Sequence, residues 1–246
     1  MTEKKIALIT GANKGIGFET SRQLAQLGIK VLMGARDEKK GAASLEKLQA
    51  EGLDAEFIRL DVTHSDDISN ARALIEKKFG HLDILVNNAG MFHSQEQLSG
   101  NSTGTVSMQA LRETFNVNFF GMVELTQALL PLIKKSPAGR IVNISSMLGS
   151  LRLHSDPQAG LEQTKPFAYD ASKTAVNQFT IHLAALLKGT PIKVNSAHPG
   201  WVRTDLGGKE APMAPVDGAK TSVTLATLGN DGPSGGFFHM GETMPW

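Results

Sequence analysis

The 246-residue chain contains no cysteine. That absence removes disulfides, thiolate nucleophiles and cysteine-ligated zinc together, and it leaves the redox compartment unmarked. Tyrosine occurs once and tryptophan twice. No apolar run approaches the roughly 18 residues that a membrane span needs. The opening stretch "MTEKKIALITGANKG" stops being apolar at Thr10, too early for a secretory leader. Charge of one sign is lacking too: 25 basic and 24 acidic side chains leave a net +1. No global field therefore directs the chain to nucleic acid or an anionic membrane. The seven histidines, His64, His81, His93, His154, His182, His198 and His239, are scattered without a metal-binding spacing. No metal site is expected; His93 and His154 fall in loops that could border a substrate. The default is a soluble, cytoplasmic protein.

Against these absences stands a regular alternation. Short apolar runs at 5–10, 29–35, 55–62, 82–88, 139–145, 192–199 and 235–240 read as strands. The early ones are nearly continuous in Ile, Leu and Val, the pattern of strands covered on both faces. Between them, residues 15–27, 39–51, 66–79, 107–134, 167–188 and 216–229 repeat apolar positions at three- and four-residue spacing, as helices do. The expectation is an α/β fold: one doubly wound domain over 1–246, with a mostly parallel, about seven-stranded sheet and helices on both faces. Residues 150–166 and 199–215 break the rhythm as loops, and loops at strand ends are where such sheets build sites.

The first strand runs directly into "TGANKGIG". Gly11, Gly15 and Gly17 let the backbone turn tightly and approach a pyrophosphate, which the following helix N-terminus attracts. The spacing is G-x-x-x-G-x-G rather than the commoner G-x-G-x-x-G. The second strand ends in "GARD". Arg36 there, with Lys14 in the turn, suits a ribose 2′-phosphate, so NADP is favoured over NAD. Asp37 could instead bind a ribose or cap the next helix.

The lone tyrosine lies in "FAYDASK" (167–173), four positions before Lys173. On a helix this places phenol and ammonium on one face. A fixed cation favours the phenolate, so the pair is expected to lower the pKa of a group that ordinarily ionises near 10.

With "TGANKGIG", "NNAG" (87–90), "NISS" (143–146), "YDASK" (169–173) and "HPGWVRTD" (198–205) in this order, the chain resembles the short-chain dehydrogenase/reductase family, and within it the NADP-dependent carbonyl reductases. The resemblance runs from Lys5 to the C-terminus. It implies a Rossmann fold, a bound NADP(H) and a catalytic set of Asn118, Ser146, Tyr169 and Lys173, with Asn118 positioning a water and Ser146 contacting the substrate oxygen. It also assigns cofactor contacts to the glycine turn (Gly11, Asn13, Lys14, Gly15, Ile16, Gly17), Arg36, Asp61, Val62, Asn88, Ala89, Gly90, Tyr169, Lys173, Pro199, Gly200, Val202 and Thr204. The implied reaction is hydride transfer from NADPH to an aldehyde, ketone or quinone, with Tyr169 as acid. An alcohol dehydrogenase working oxidatively, or a cofactor-binding regulator without turnover, are the alternatives. Ser146 and Tyr169 are 23 positions apart, a wider gap than is usual in the family. Residues 150–166 therefore read as an insertion beside the substrate cleft, compatible with a monomer or a homo-oligomer. Met91, Phe92, Met147, Leu148, Trp201, Leu206 and Met213 are candidates for an apolar lining.

Overall fold

The continuous Ile, Leu and Val runs become strands whose residues are buried on both faces. In the computed structural model, which describes residues 4–246, β1 (Ile6–Thr10), α1 (Gly15–Gln26), β2 (Lys30–Ala35), α2 (Glu38–Ala50), β3 (Ala55–Arg59), α3 (Ser65–Phe79) and β4 (Ile84–Asn87) form the first half. A two-residue strand, β5 (Gly100–Asn101), follows, then α4 (Met108–Phe115), a π-helical turn at Asn116–Phe120, and α5 (Gly121–Ile133). The second half holds β6 (Arg140–Ile144), α6 (Leu151–Ser155), β7 (Thr164–Lys165), α7 (Phe167–Leu186), β8 (Lys193–Ala197), α8 (Pro215–Gly218), α9 (Lys220–Ala226), β9 (Phe237–His239) and β10 (Glu242–Thr243).

The main sheet has the order β3-β2-β1-β4-β6-β8-β9-β10. Every pairing is parallel except the terminal β9–β10 hairpin. The seven runs read as strands are thus seven parallel strands, and β10 adds a short antiparallel edge. One apolar layer packs α3, α5 and α7 against the sheet through Leu8, Leu85, Leu125 and Leu129. The opposite layer packs α1, α2 and α9 through Ile9, Met33, Leu24 and Leu225. Strand order reverses between β2 and β4 on either side of β1, the switch point where open α/β sheets bind ligands. No helix among the described residues is long and apolar enough to cross a membrane.

Two local features depart from a plain reading of periodicity. The helix expected over 107–134 carries a π-turn in its middle. Gly121 lies so close to β3's exit that a Cβ there would stand 2.2 Å from the Val62 carbonyl oxygen. The rod presses backbone on backbone at that point, and the π-turn lies directly before it. The expected loop at 150–166 contains α6, capped by Ser150, which accepts from the Leu153 amide at 3.1 Å. It also contains β7, which pairs in parallel with β5. Asp37 is settled as a cap: its carboxylate accepts from the Lys40 amide at 3.0 Å and opens α2.

Candidate active site

The site gathers at the C-terminal ends of β1, β4, β6 and β8. Thr10 ends β1, and its hydroxyl accepts from the amides of Asn88 and Ala89 at 2.9 and 2.8 Å. The Asn88 side chain donates back to the Thr10 carbonyl at 2.8 Å. "NNAG" therefore braces the glycine turn from behind. Gly11 and Gly15 adopt φ of +63° and +55°, where a side chain would be strained. Gly17 is there for space: a Cβ on it would meet Asn88 Nδ2 at 2.4 Å and the Gly11 oxygen at 2.5 Å.

Helix α1 starts without a side-chain cap and without an acidic residue in its first turn. Its first amides are left free for an anion, the condition for seating a pyrophosphate. The turn therefore fits a dinucleotide on its own geometry. Lys14 beside it is exposed and ion-paired with Asp205 of the 199–215 loop. Thr204 touches the turn from the same loop, its Cγ2 lying 3.1 Å from where a Gly15 Cβ would stand. Asn13 is fixed through its carbonyl, which accepts from Ser44 Oγ at 2.7 Å. Arg36 is exposed past the end of β2, and its charge helps to hold down Asp61. Burial works to raise the Asp61 pKa, but the Thr63 amide and hydroxyl, at 3.0 and 2.7 Å, keep it below the ordinary carboxylate value. Val62, next to it, is buried.

Below the turn lies a cavity of about 400 Å³. It brings together Ile16, Asn88 and Gly90 with Ser146, Tyr169, Lys173, Pro199, Gly200, Val202 and Thr204. Five of the apolar candidates, Phe92, Met147, Leu148, Trp201 and Leu206, are in its wall. Met91 and Met213 are not. The Met213 sulfur fills the space beside Gly200 instead. Leu98, Leu161, Thr164 and His198 also line the cavity. Leu161 and Thr164 belong to the 150–166 segment expected to lie beside the cleft, whereas the sequence carries no signal for Leu98. His93 and His154 are outside the lining. The first is buried and pinned to Glu113 at 3.0 Å; the second packs against α7. Among the described residues no cluster of His, Asp or Glu could hold a metal.

The reactive side chains show where burial overrides charge. Tyr169 is buried with Leu148 and Leu161, and Phe92 lies against its ring at 5.4 Å between centroids. Burial pushes its phenol up to about 12, and the Ser146 hydroxyl, which favours the phenolate, only partly offsets this. Lys173 is buried as well, and burial brings it down to about 8. Its ammonium lies 5.6 Å from the phenol ring centroid and donates to the Ile144 carbonyl at 2.8 Å. The expectation of a phenol acidified by its lysine is therefore reversed in this structure, because desolvation penalises both charged forms. Ser146 Oγ accepts from the Leu148 amide at 3.2 Å, and its own proton is available to the phenol oxygen or to another acceptor in the cavity.

Asn118, in the π-turn, is fully engaged. Its Oδ1 accepts from the Met91 amide at 2.7 Å, and its Nδ2 donates to the Met91 carbonyl and Ser172 Oγ, each at 3.0 Å. The side chain thus ties the "NNAG" strand exit to α7. A Cβ on Gly90 would lie 3.4 Å from Asn118 Oδ1 and 3.6 Å from Lys173 Nζ, so the two groups flank Gly90.

A family model described as short chain dehydrogenase matches residues 5–214, and the chain belongs to that family. It is 37% identical to "Carbonyl reductase [NADPH] 1" of Mus musculus, with 100% of this chain and 99% of the relative covered. That alignment runs to 284 positions against 246 residues here, so the mouse protein carries segments that this chain lacks. The fold superposes on the NADPH-bound carbonyl reductase from chicken fatty liver with a TM-score of 0.85 at 27% identity, covering 99% of this chain and 100% of that one. The carbonyl reductase Sniffer of D. melanogaster gives 0.84 at 30% identity, with 99% and 100% covered.

Proposed function

We propose that this chain is an NADPH-dependent carbonyl reductase that converts an aldehyde, ketone or quinone to the alcohol, with Tyr169 as general acid. The observation that carries the reading is convergence: Ser146, Tyr169 and Lys173 open into one cavity with the glycine turn at one end and an apolar wall at the other. When bound, the nicotinamide cofactor supplies the hydride. The relatives named for NADPH support that cofactor, as do the uncapped α1 amides and the exposed Arg36 at the second strand's end.

The chain's own residues supply the rest. Gly11–Gly17 seat the pyrophosphate, Arg36 with Lys14 meets the 2′-phosphate, and Asp61 with Val62 borders the adenine. Asn88, Ala89 and Gly90 shape the floor, while Pro199, Gly200, Val202 and Thr204 hold the carboxamide side. Lys173, already pointing between Ile144 and Gly90, hydrogen-bonds the nicotinamide ribose. Ser146 gives its hydroxyl proton as a hydrogen bond to the substrate oxygen, which gains negative charge as hydride arrives. Tyr169 then transfers its proton to that oxygen. Burial keeps Tyr169 protonated at neutral pH, so the proton to be transferred is in place, and the same residues would serve the oxidative direction. The binding-only reading would be favoured by loss of one of these side chains, and all of them are present.

The test is NADPH consumption over a panel of aldehydes, ketones and quinones, with Tyr169→Phe in parallel. Turnover that falls at least about 100-fold in the variant supports the assignment. Undiminished turnover in Tyr169→Phe removes it.

A further inference from the structure

Helix α7 carries both Tyr169 and Lys173, yet Tyr169 stands in its first turn, only two residues after Phe167 opens the helix. The first amides of a helix have no acceptor within it. Pro166, which precedes α7, has no N–H and gives no side-chain cap. The Asp170 amide is the first to close back, onto the Pro166 carbonyl at 3.0 Å. The amides of Phe167, Ala168 and Tyr169 must therefore find acceptors outside the helix, and the last of these belongs to the reactive residue itself.

One segment, 65 to 73 positions upstream, takes up all three. Ser102 Oγ accepts from the Phe167 amide at 2.8 Å. The Glu96 carboxylate accepts from Ala168 through Oε1 at 3.0 Å and from Tyr169 through Oε2 at 3.1 Å. Ser102 Oγ also donates to Glu96 Oε1 at 2.8 Å, which joins the two caps into one unit. Glu96 is only 6% exposed, a burial that a carboxylate tolerates because these donors converge on it. Its charge also faces the positive end of α7. Leu98, between the two caps, is in the cavity wall, and the Gly100 amide ties the segment to the Gln163 carbonyl at 2.7 Å. On the other side of the same residue, the Tyr169 carbonyl accepts from Ser172 Oγ at 2.7 Å, and that hydroxyl accepts from Asn118 Nδ2 at 3.0 Å. Tyr169 is thus gripped at its N–H by Glu96 and at its C=O by Ser172.

We propose that Glu96 is a positioning residue for the reaction: its carboxylate fixes the first turn of α7 and so places the Tyr169 phenol beside Ser146 and the substrate oxygen. The proposal rests on Tyr169 being the acid. Glu96 acts through the backbone of Tyr169 and not on the substrate. Lys173, a full turn deeper, is held separately by the Ile144 carbonyl, and the glycine turn is braced by Asn88. Loosening the cap therefore displaces the phenol while the cofactor seat stays in place. Proton transfer depends steeply on such placement, and a shift of about 1 Å costs on the order of 100-fold. Both carboxylate oxygens are needed. A glutamine keeps one acceptor and turns an NH2 group towards another donor.

The experiment is a double-mutant cycle on a carbonyl that the wild type reduces, run with Glu96→Gln, Tyr169→Phe and the double variant. NADPH affinity is read by fluorescence titration on each protein, and the residual turnover of the Tyr169→Phe proteins at high enzyme concentration. Glu96→Gln should lower kcat by about 10-fold or more, with NADPH affinity within about twofold of wild type. In Tyr169→Phe no phenol remains to be placed, so the same substitution should cost less than about twofold there. A merely structural loss would instead multiply through both backgrounds. Should Glu96→Gln fail to fold, Ser102→Ala runs the same cycle: it removes one donor to Glu96 and the acceptor of the Phe167 amide, and its smaller loss should likewise vanish in Tyr169→Phe. Unchanged kcat, or an equal fold-loss in both backgrounds, overturns the proposal. Undiminished turnover in Tyr169→Phe removes the acid and the proposal with it, whereas an impaired Tyr169→Phe beside an unimpaired Glu96→Gln overturns the role of Glu96 alone.

Discussion

The Lys173 ammonium stands 5.6 Å from the Tyr169 ring centroid, and its hydrogen bond goes to the Ile144 carbonyl at 2.8 Å, not to the phenol. On the proposed reading it would orient the cofactor and supply charge when the site is filled, at a standing desolvation penalty in the empty site. Lys173→Met should lower kcat/KM by about 100-fold or more. Its melting temperature at pH 7 should not fall, because relief of a buried cation offsets the unpaired Ile144 oxygen. Turnover and calorimetry on the same preparation check both halves. A destabilised but active variant would contradict the assignment.

On the proposed reading, Ser146→Ala removes the hydrogen-bond donor to the developing charge on the substrate oxygen. The expected loss is in kcat, about 100- to 1,000-fold, with KM little changed. The Leu148 amide loses its acceptor in the same variant, so stability should drop by about 1 kcal/mol. A large rise in KM at unchanged kcat would instead place Ser146 in uniform substrate binding.

Arg36 is exposed and free to meet a 2′-phosphate, whereas Lys14 is ion-paired with Asp205. An exposed pair of that kind is worth about 0–1 kcal/mol, so it yields readily to a phosphate. Arg36→Ala should weaken NADPH by about 10- to 100-fold, the range of a charge-assisted hydrogen bond, and leave NADH binding unchanged. Equal weakening of both cofactors, read by fluorescence titration, would place Arg36 away from the phosphate.

Gly17→Ala asks for a Cβ 2.4 Å from Asn88 Nδ2 and 2.5 Å from the Gly11 oxygen. Neither neighbour can yield without loosening the brace between β4's exit and the turn. A stability loss of about 1–3 kcal/mol, with weakened cofactor binding, is expected. Wild-type melting and NADPH affinity in Gly17→Ala would show that the turn has slack.

The sheet was legible because strands covered on both faces are written as unbroken Ile, Leu and Val, and the glycine turn because its residues are consecutive. The spacing of Tyr169 and Lys173 also survives intact, since both stand on α7. The direction of their acidities was not legible. It depends on Phe92, Leu148 and Leu161, three side chains from separate segments that close over the phenol. Glu96 was equally hidden, since it caps α7 from more than 70 positions away. The Asn118 amide is held by Met91 and Ser172 through a π-turn that helical periodicity does not announce.

Two buried groups give stability opposite slopes with pH. His198 is brought down to about 4, by burial first and then by His239, whose ring lies 4.8 Å away. Between about pH 4 and 6.5 the unfolded histidine binds a proton that the folded one refuses, so stability falls as pH drops through that window. Asp170, raised to about 8, works the other way. Its folded form keeps a proton that the unfolded one has released, so its contribution is full below about pH 4 and is lost as pH rises to about 8. The two oppose each other below pH 6.5, and Asp170 acts without that opposition between about 6.5 and 8. The wild-type melting temperature should therefore be nearly flat from pH 4.5 to 6.5 and decline by a few degrees towards pH 8. Asp170→Asn should abolish the decline and expose the acid-side loss, while His198→Gln should make stability fall steadily across the whole range. Identical pH profiles for the three proteins would mean that neither group carries the linkage.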